Sequence, residues 1–133
     1  MDGGAASYYF QYMTDSYETF IYPEGRVIIE QGEPAMEAFL IEGGKVQVTL
    51  ERDGKTIELA QLGEDQIFGE TALFKGSDYG ATVTALEETT VIKITPDILD
   101  AKIRLCDPML RALIKMMMER QRRSNAALAE KSA

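Results

Sequence analysis

A chain of 133 residues with 45% apolar side chains can bury one core, and a single domain over residues 1–133 is the economical reading. Its formal charge of −8, from 22 acidic and 14 basic residues, argues against a dedicated nucleic-acid surface and sets any anion site against the overall field. With no histidine and one cysteine, the chain excludes Ser/His/Asp and Cys/His catalysis, histidine-ligated metal sites and an internal disulfide.

In chain order, residues 1–7 are small and glycine-rich and are expected to fray, as are residues 126–133. The aromatic-rich residues 7–13 suggest a short helix. From residue 17 to residue 94 the texture is short β-like runs punctuated by glycine. Residues 26–30 and 38–42 read as strands. Residues 45–51 and 56–62 alternate with period two, the mark of half-buried strands. Between them Asp53-Gly54 is the strongest short signal for a hairpin. Residues 81–86 and 89–94 close the β section. Strands at this spacing predict a small roll or barrel.

At Thr95 the texture changes, and Pro96 stands at a first helical position, which predicts a short helix to about Leu105. Cys106 follows and is expected as a buried structural thiol. Asp107-Pro108 repeats the start signal. Leu110, Leu113, Ile114 and Met117 then recur at helical spacing, with Met109, Met116 and Met118 widening the stripe, and predict an amphipathic helix of roughly fifteen to twenty residues. No apolar run approaches the roughly 18 residues of a membrane span, and no basic-then-apolar leader opens the chain. A cytoplasmic location without membrane contact is therefore expected.

One stretch, residues 66–83, carries the chemistry. Gly69 permits a tight turn after Phe68. Glu70, Thr71, Ala72, Leu73 and Phe74 can form a helical turn whose first amides point outward, beside the Glu70 carboxylate. Gly76, Ser77 and Asp78 are loop residues, and Ala81 begins a new strand.

Phe68-Gly69-Glu70, Ala72-Leu73 and Ala81-Thr82-Val83 resemble, in order and spacing, the phosphate-binding cassette of the cyclic-nucleotide-binding domain family. Kinase regulatory subunits, ion channels and transcription regulators of the catabolite-activator type carry that domain. The resemblance extends upstream through Tyr22-Pro23-Glu24-Gly25, Gln31-Gly32-Glu33, Phe39-Leu40-Ile41, Gly44-Lys45-Val46 and Leu62-Gly63-Glu64-Asp65. It implies a mainly β fold with flanking helices: a β-roll (double-stranded β-helix, or jelly roll) over about residues 17–94, a short cassette helix, and C-terminal helices over about residues 96–125.

The resemblance also implies roles. Glu70 would accept the ribose 2′-hydroxyl, and the backbone around Gly69, Thr71, Ala72 and Leu73 would contact ribose or cyclic phosphate. Gly80, Ala81 and Thr82 would lie against the phosphate. Val46, Val48, Leu59, Leu62, Ile67 and Phe68 would form pocket wall and roll core. Met117, Arg120 and Gln121 of the long helix would close over the base as a lid.

One position departs from the family. The arginine that pairs with the cyclic phosphate falls at Tyr79. A neutral phenol cannot make a bidentate charge-assisted pair, and the loss costs on the order of 2–4 kcal/mol. Tyr79 is then either a ligand-facing donor or stacking surface, or a ring that plugs the pocket. Glu70 likewise is either a ribose ligand or a first-turn carboxylate serving the helical turn.

Two readings follow. The first is a regulatory module that binds a nucleotide-like ligand, cAMP or cGMP or a related small molecule, weakly or in an altered way and signals through its C-terminal helix. The second is a degenerate domain without ligand that serves as an interaction or dimerisation scaffold, with a homodimer or a partner protein on the methionine-rich helix. Neither is an enzyme, and neither needs a cofactor or metal. The regulators of this family carry a helix-turn-helix after the long helix, and residues 124–133 are too few for one, so direct DNA binding is not expected.

Overall fold

The computed structural model describes residues 17–74 and 77–132, with side chains as far as Ser124. The helix expected over residues 7–13 lies outside the described residues, as do Lys75 and Gly76. The chain forms two compact units, Met1–Thr95 and Pro96–Ala133.

The first unit is a mainly β roll of two antiparallel four-stranded sheets. Its strands are β1 (Glu18–Tyr22), β2 (Val27–Ile29), β3 (Ala38–Gly43), β4 (Val46–Arg52), β5 (Lys55–Leu62), β6 (Ile67–Phe68), β7 (Thr82–Ala85) and β8 (Thr89–Ile94). One sheet runs β1-β8-β3-β6 and the other β2-β7-β4-β5. The core draws on both: Phe39, Ile41, Phe68 and Val91 come from the first sheet, and Ile29, Val46 and Val83 from the second. Phe39 and Phe68 stack with ring centroids 5.2 Å apart. Tyr79, from the segment between β6 and β7, joins the same cluster.

Local chemistry sets the turns. Arg52 pairs with Lys55 across a two-residue hairpin. Asp53 and Gly54 there have φ of 54° and 75°. Left-handed backbone at both central positions is the type I′ turn, whose twist suits antiparallel strands. Strand β5 pairs only with β4 and ends its sheet. The half-buried pattern expected of it is therefore absent, and every residue from Lys55 to Gln61 is exposed. An edge strand has one neighbour to cover it, whatever its alternation suggests.

The passage from β3 to β4 is tighter. Gly44 has φ +103°, and a Cβ there would lie 2.5 Å from the Thr89 hydroxyl oxygen and 2.6 Å from the Glu88 carbonyl oxygen. Thr89 is fully buried. Its hydroxyl donates to the Glu87 carbonyl oxygen at 2.8 Å and accepts from the Lys45 amide at 3.2 Å.

The second unit holds α1 (Pro96–Leu105) and α2 (Pro108–Ser132). Asp107 caps α2: its Oδ1 accepts from the amides of Met109 at 2.9 Å and Leu110 at 3.4 Å. Pro108 occupies the first helical position, where no amide is needed. At 25 residues α2 outruns the fifteen to twenty expected, and residues 126–132 are helical rather than frayed. The alanines of that stretch are strong helix formers, and no glycine or proline stops the run. Cys106 is partly exposed, not buried as expected, because it sits in the break between the two helices. Among the described residues no helix is long and apolar enough to cross a membrane.

Gly44→Ala is expected to cost about 3 kcal/mol or more, since left-handed strain and backbone overlap add. The urea midpoint will show it. Gly54→Ala, where the added Cβ meets open space, is the control and should cost only about 1–2 kcal/mol.

Candidate functional site

Strand β6 ends against a residue that must be glycine. Gly69 has φ +73°, and a Cβ there would lie 2.7 Å from Ile29 Cδ1 and 3.3 Å from the Glu37 carbonyl oxygen. The chain then makes a short 3-10 helix, Glu70–Leu73, with no side-chain cap. The Ala72 amide donates to the Gly69 carbonyl at 3.2 Å and the Phe74 amide to the Thr71 carbonyl at 3.1 Å. Ala72 is buried beneath the turn, while Glu70 is exposed.

The segment beyond Gly76 is stitched to the strip between β2 and β3. The Ala35 amide donates to the Ser77 carbonyl at 3.2 Å, the Tyr79 amide to the Glu33 carbonyl at 2.9 Å, and the Gly32 amide to the Tyr79 carbonyl at 2.9 Å. The Tyr79 ring turns into the core and is 8% exposed. Its hydroxyl donates to the Glu37 carbonyl oxygen at 2.6 Å and accepts from the Glu37 amide at 3.3 Å. Burial pushes the Tyr79 phenol above its usual pKa, the backbone bond to Glu37 opposes this, and the Glu37 and Glu33 carboxylates add to the rise.

Beside that ring lies a cavity of about 520 Å³, within the size range of small-molecule sites. Its apolar walls are Ile29, Val48, Leu59, Ala60, Leu62, Ile67, Phe68 and Val83, and its cassette side is Gly69, Glu70, Thr71, Tyr79, Gly80 and Ala81. Glu70 is the one charged side chain among these lining residues. No cluster of metal-binding side chains occurs among the described residues.

The family of cyclic nucleotide-binding domains matches residues 19–104. This chain belongs to that family. It is 37% identical over 73 residues, 55% of its length, to the cAMP-dependent protein kinase type II regulatory subunit of Drosophila melanogaster, of which it spans 19%. It is 25% identical over 119 residues, 89% of its length, to a CRP-like cAMP-activated global transcriptional regulator of Mycobacterium tuberculosis, of which it spans 53%. Those relatives are regulatory proteins. Among solved structures it resembles the half-site-occupied form of the EAL enzyme Bd1971, with TM-score 0.79, 29% identity, and coverage of 83% of this chain and 99% of that one. It also resembles the Thermus thermophilus catabolite activator protein, with TM-score 0.67, 28% identity, and coverage of 87% and 55%.

Within this cyclic nucleotide-binding roll, six of the cassette residues singled out from sequence line the cavity: Gly69, Glu70, Thr71, Tyr79, Gly80 and Ala81. Ala72, Leu73 and Thr82 fall outside the lining. The Thr82 hydroxyl instead accepts from the Gln31 amide at 3.1 Å. Val48, Leu59, Leu62, Ile67 and Phe68 form wall, whereas Val46 lies wholly in the core. Met117, Arg120 and Gln121 belong to α2 in the helical unit.

Sequence reasoning missed Ile29 and Ala60 as wall and Glu37 as the partner of Tyr79. The last pairing spans 42 positions, and no local pattern announces it. The ring of Tyr79 packs in the core cluster and also lines the cavity. Its hydroxyl serves the protein backbone.

Tyr79→Phe keeps the ring and deletes that hydroxyl. It should cost about 1–3 kcal/mol by leaving the Glu37 groups unpaired, read from denaturant midpoints. Because the folded state holds the Tyr79 phenol above the ordinary 10.0, its contribution is full below that pH and falls as pH rises through the folded value. Tyr22, raised mainly by burial, has the same sign. The difference between wild type and Tyr79→Phe above pH 10 isolates the Tyr79 part.

Proposed function

We propose that this chain is a regulatory, ligand-sensing domain whose roll cavity receives a nucleotide-like ligand in an altered way. The observation that carries the reading is a cassette-lined cavity of about 520 Å³ with Glu70 in its lining and Tyr79 at the position of the family's phosphate arginine. Membership in the cyclic nucleotide-binding family supports a ligand of that type. So do the forms of Bd1971 that hold cAMP or cGMP, each 27–29% identical to this chain.

In this reading the Glu70 carboxylate accepts a ribose hydroxyl. The backbone of Gly69, Thr71, Gly80 and Ala81 faces the sugar and phosphate. Met117, Arg120 and Gln121 of α2 form a lid, and the signal is a shift of α2 between two packings, driven by the ligand's unequal affinity for them. Without the arginine, cyclic nucleotides bind roughly 30- to 1,000-fold more weakly than they would with it. The setting is cytoplasmic, and the ligand is a signal rather than a cofactor, with no reaction catalysed and no direct DNA contact.

A second reading rests on α2. Met109, Leu110, Leu113, Met116 and Met117 are all exposed large apolar side chains. A domain that has lost its ligand and serves as a homodimer or partner-protein scaffold would use that stripe.

Thermal unfolding with cAMP, cGMP and cyclic dinucleotides separates the two. A ligand at 100 times its dissociation constant adds about 2.7 kcal/mol, seen as a higher melting temperature. Stabilisation at millimolar ligand supports the sensing reading, and none with any of them or with adenosine or guanosine favours the scaffold. Tyr79→Arg, if it folds, should lower the cAMP dissociation constant at least about tenfold, a gain of roughly 1.4 kcal/mol.

A further inference from the structure

We propose that the roll cavity selects an uncharged ligand, one with an apolar ring face and a hydroxyl donor, over an anion such as a cyclic phosphate. This rests on the reading that the cavity is the ligand site, and it names the charge class of what enters.

Three observations carry it. First, no lysine or arginine lines the cavity among the described residues, and the charged side chain that does, Glu70, is an anion. A compact space of 520 Å³ is only about 10 Å across, so any charge inside lies within about a Debye length of Glu70. Like charges juxtaposed at a binding surface work directly against affinity.

Second, Tyr79, which stands where the family has its cation, has spent its own donors inside the protein. Its hydroxyl donates to the Glu37 carbonyl oxygen and its amide to the Glu33 carbonyl oxygen. Burying an anion there would remove its hydration without supplying charged donors in return.

Third, the rest of the lining suits a neutral ring. Val48, Leu59, Leu62 and Val83 offer apolar surface, and Glu70 offers a carboxylate acceptor within the same lining. A hydroxyl that donates to a carboxylate makes a charge-assisted bond, stronger than a neutral one. The ligand therefore gains from Glu70 when it carries a donor and loses when it carries a negative charge.

The test is calorimetric titration of the full chain with adenosine and guanosine against cAMP and cGMP, at low and at physiological salt. The uncharged member of each pair should bind at least about tenfold tighter, a difference of roughly 1.4 kcal/mol. Its affinity should not respond to salt, whereas the cyclic nucleotide should tighten as salt screens Glu70. Glu70→Gln alters an exposed side chain, so the fold should persist, as circular dichroism will check. It should weaken the uncharged ligands about tenfold and weaken the cyclic nucleotides less, because for them the lost hydroxyl bond is offset by lost repulsion. A cyclic nucleotide that binds tighter than its uncharged counterpart overturns the inference and leaves the cavity reading standing. Uncharged ligands indifferent to Glu70→Gln also overturn it. No binding of any of the four at millimolar concentration overturns both.

Discussion

The phenol of Tyr79 is a buried polar group, and the protein satisfies it internally. A hydroxyl taken out of water without a partner costs a few kcal/mol. Here it finds the carbonyl and the amide of Glu37. That pairing turns the ring into the core beside Ile29, Phe39 and Phe68. Around it the strands and loops have little freedom. The Ser77 and Tyr79 backbone pairs with Gly32, Glu33 and Ala35, and Gly69, in left-handed backbone, passes so close to Ile29 Cδ1 that a Cβ there would displace that side chain. The shape of the cavity's cassette side follows from these contacts, before any ligand is considered.

Shape and charge part company at this site. The two-sheet roll and the turn after β6 are those of the cyclic nucleotide-binding family. The scaffold needs Gly69 for its turn, apolar residues on the inward faces and a cavity between the sheets. None of these features depends on which charges line the cavity. Replacing a cation by a phenol therefore leaves the architecture intact and, on the proposed reading, changes what the cavity attracts. The roll supplies a container, and Glu70 and Tyr79 decide its electrostatic sign.

The helical unit follows a different logic. Asp107 and Pro108 start α2 by local chemistry, and alanine-rich sequence extends it. Met109, Leu110, Leu113, Met116 and Met117 on it stay exposed. Methionine suits a surface that meets changing partners, because its side chain is flexible and polarizable.

What the sequence by itself determined lies at short range. Asp53 and Gly54 specify their hairpin because both adopt left-handed backbone within a two-residue turn. The Asp107 cap and the helix breaks depend on neighbours a few positions away. The alternation in β4 and the run of β8 mark strands for the same reason. Most of the cassette lining was also legible, because residues 69–71 and 79–81 lie in two short segments with recognisable order. Strands β1 and β6 had no such mark, being five and two residues long without clear alternation. The tertiary structure alone decided the rest. It placed β5 at an edge and so exposed it, brought Ile29 to the cavity, and gave the Tyr79 hydroxyl to a backbone group 42 residues away. Burial and long-range hydrogen bonding depend on which strands become neighbours, and no local window of sequence contains that information.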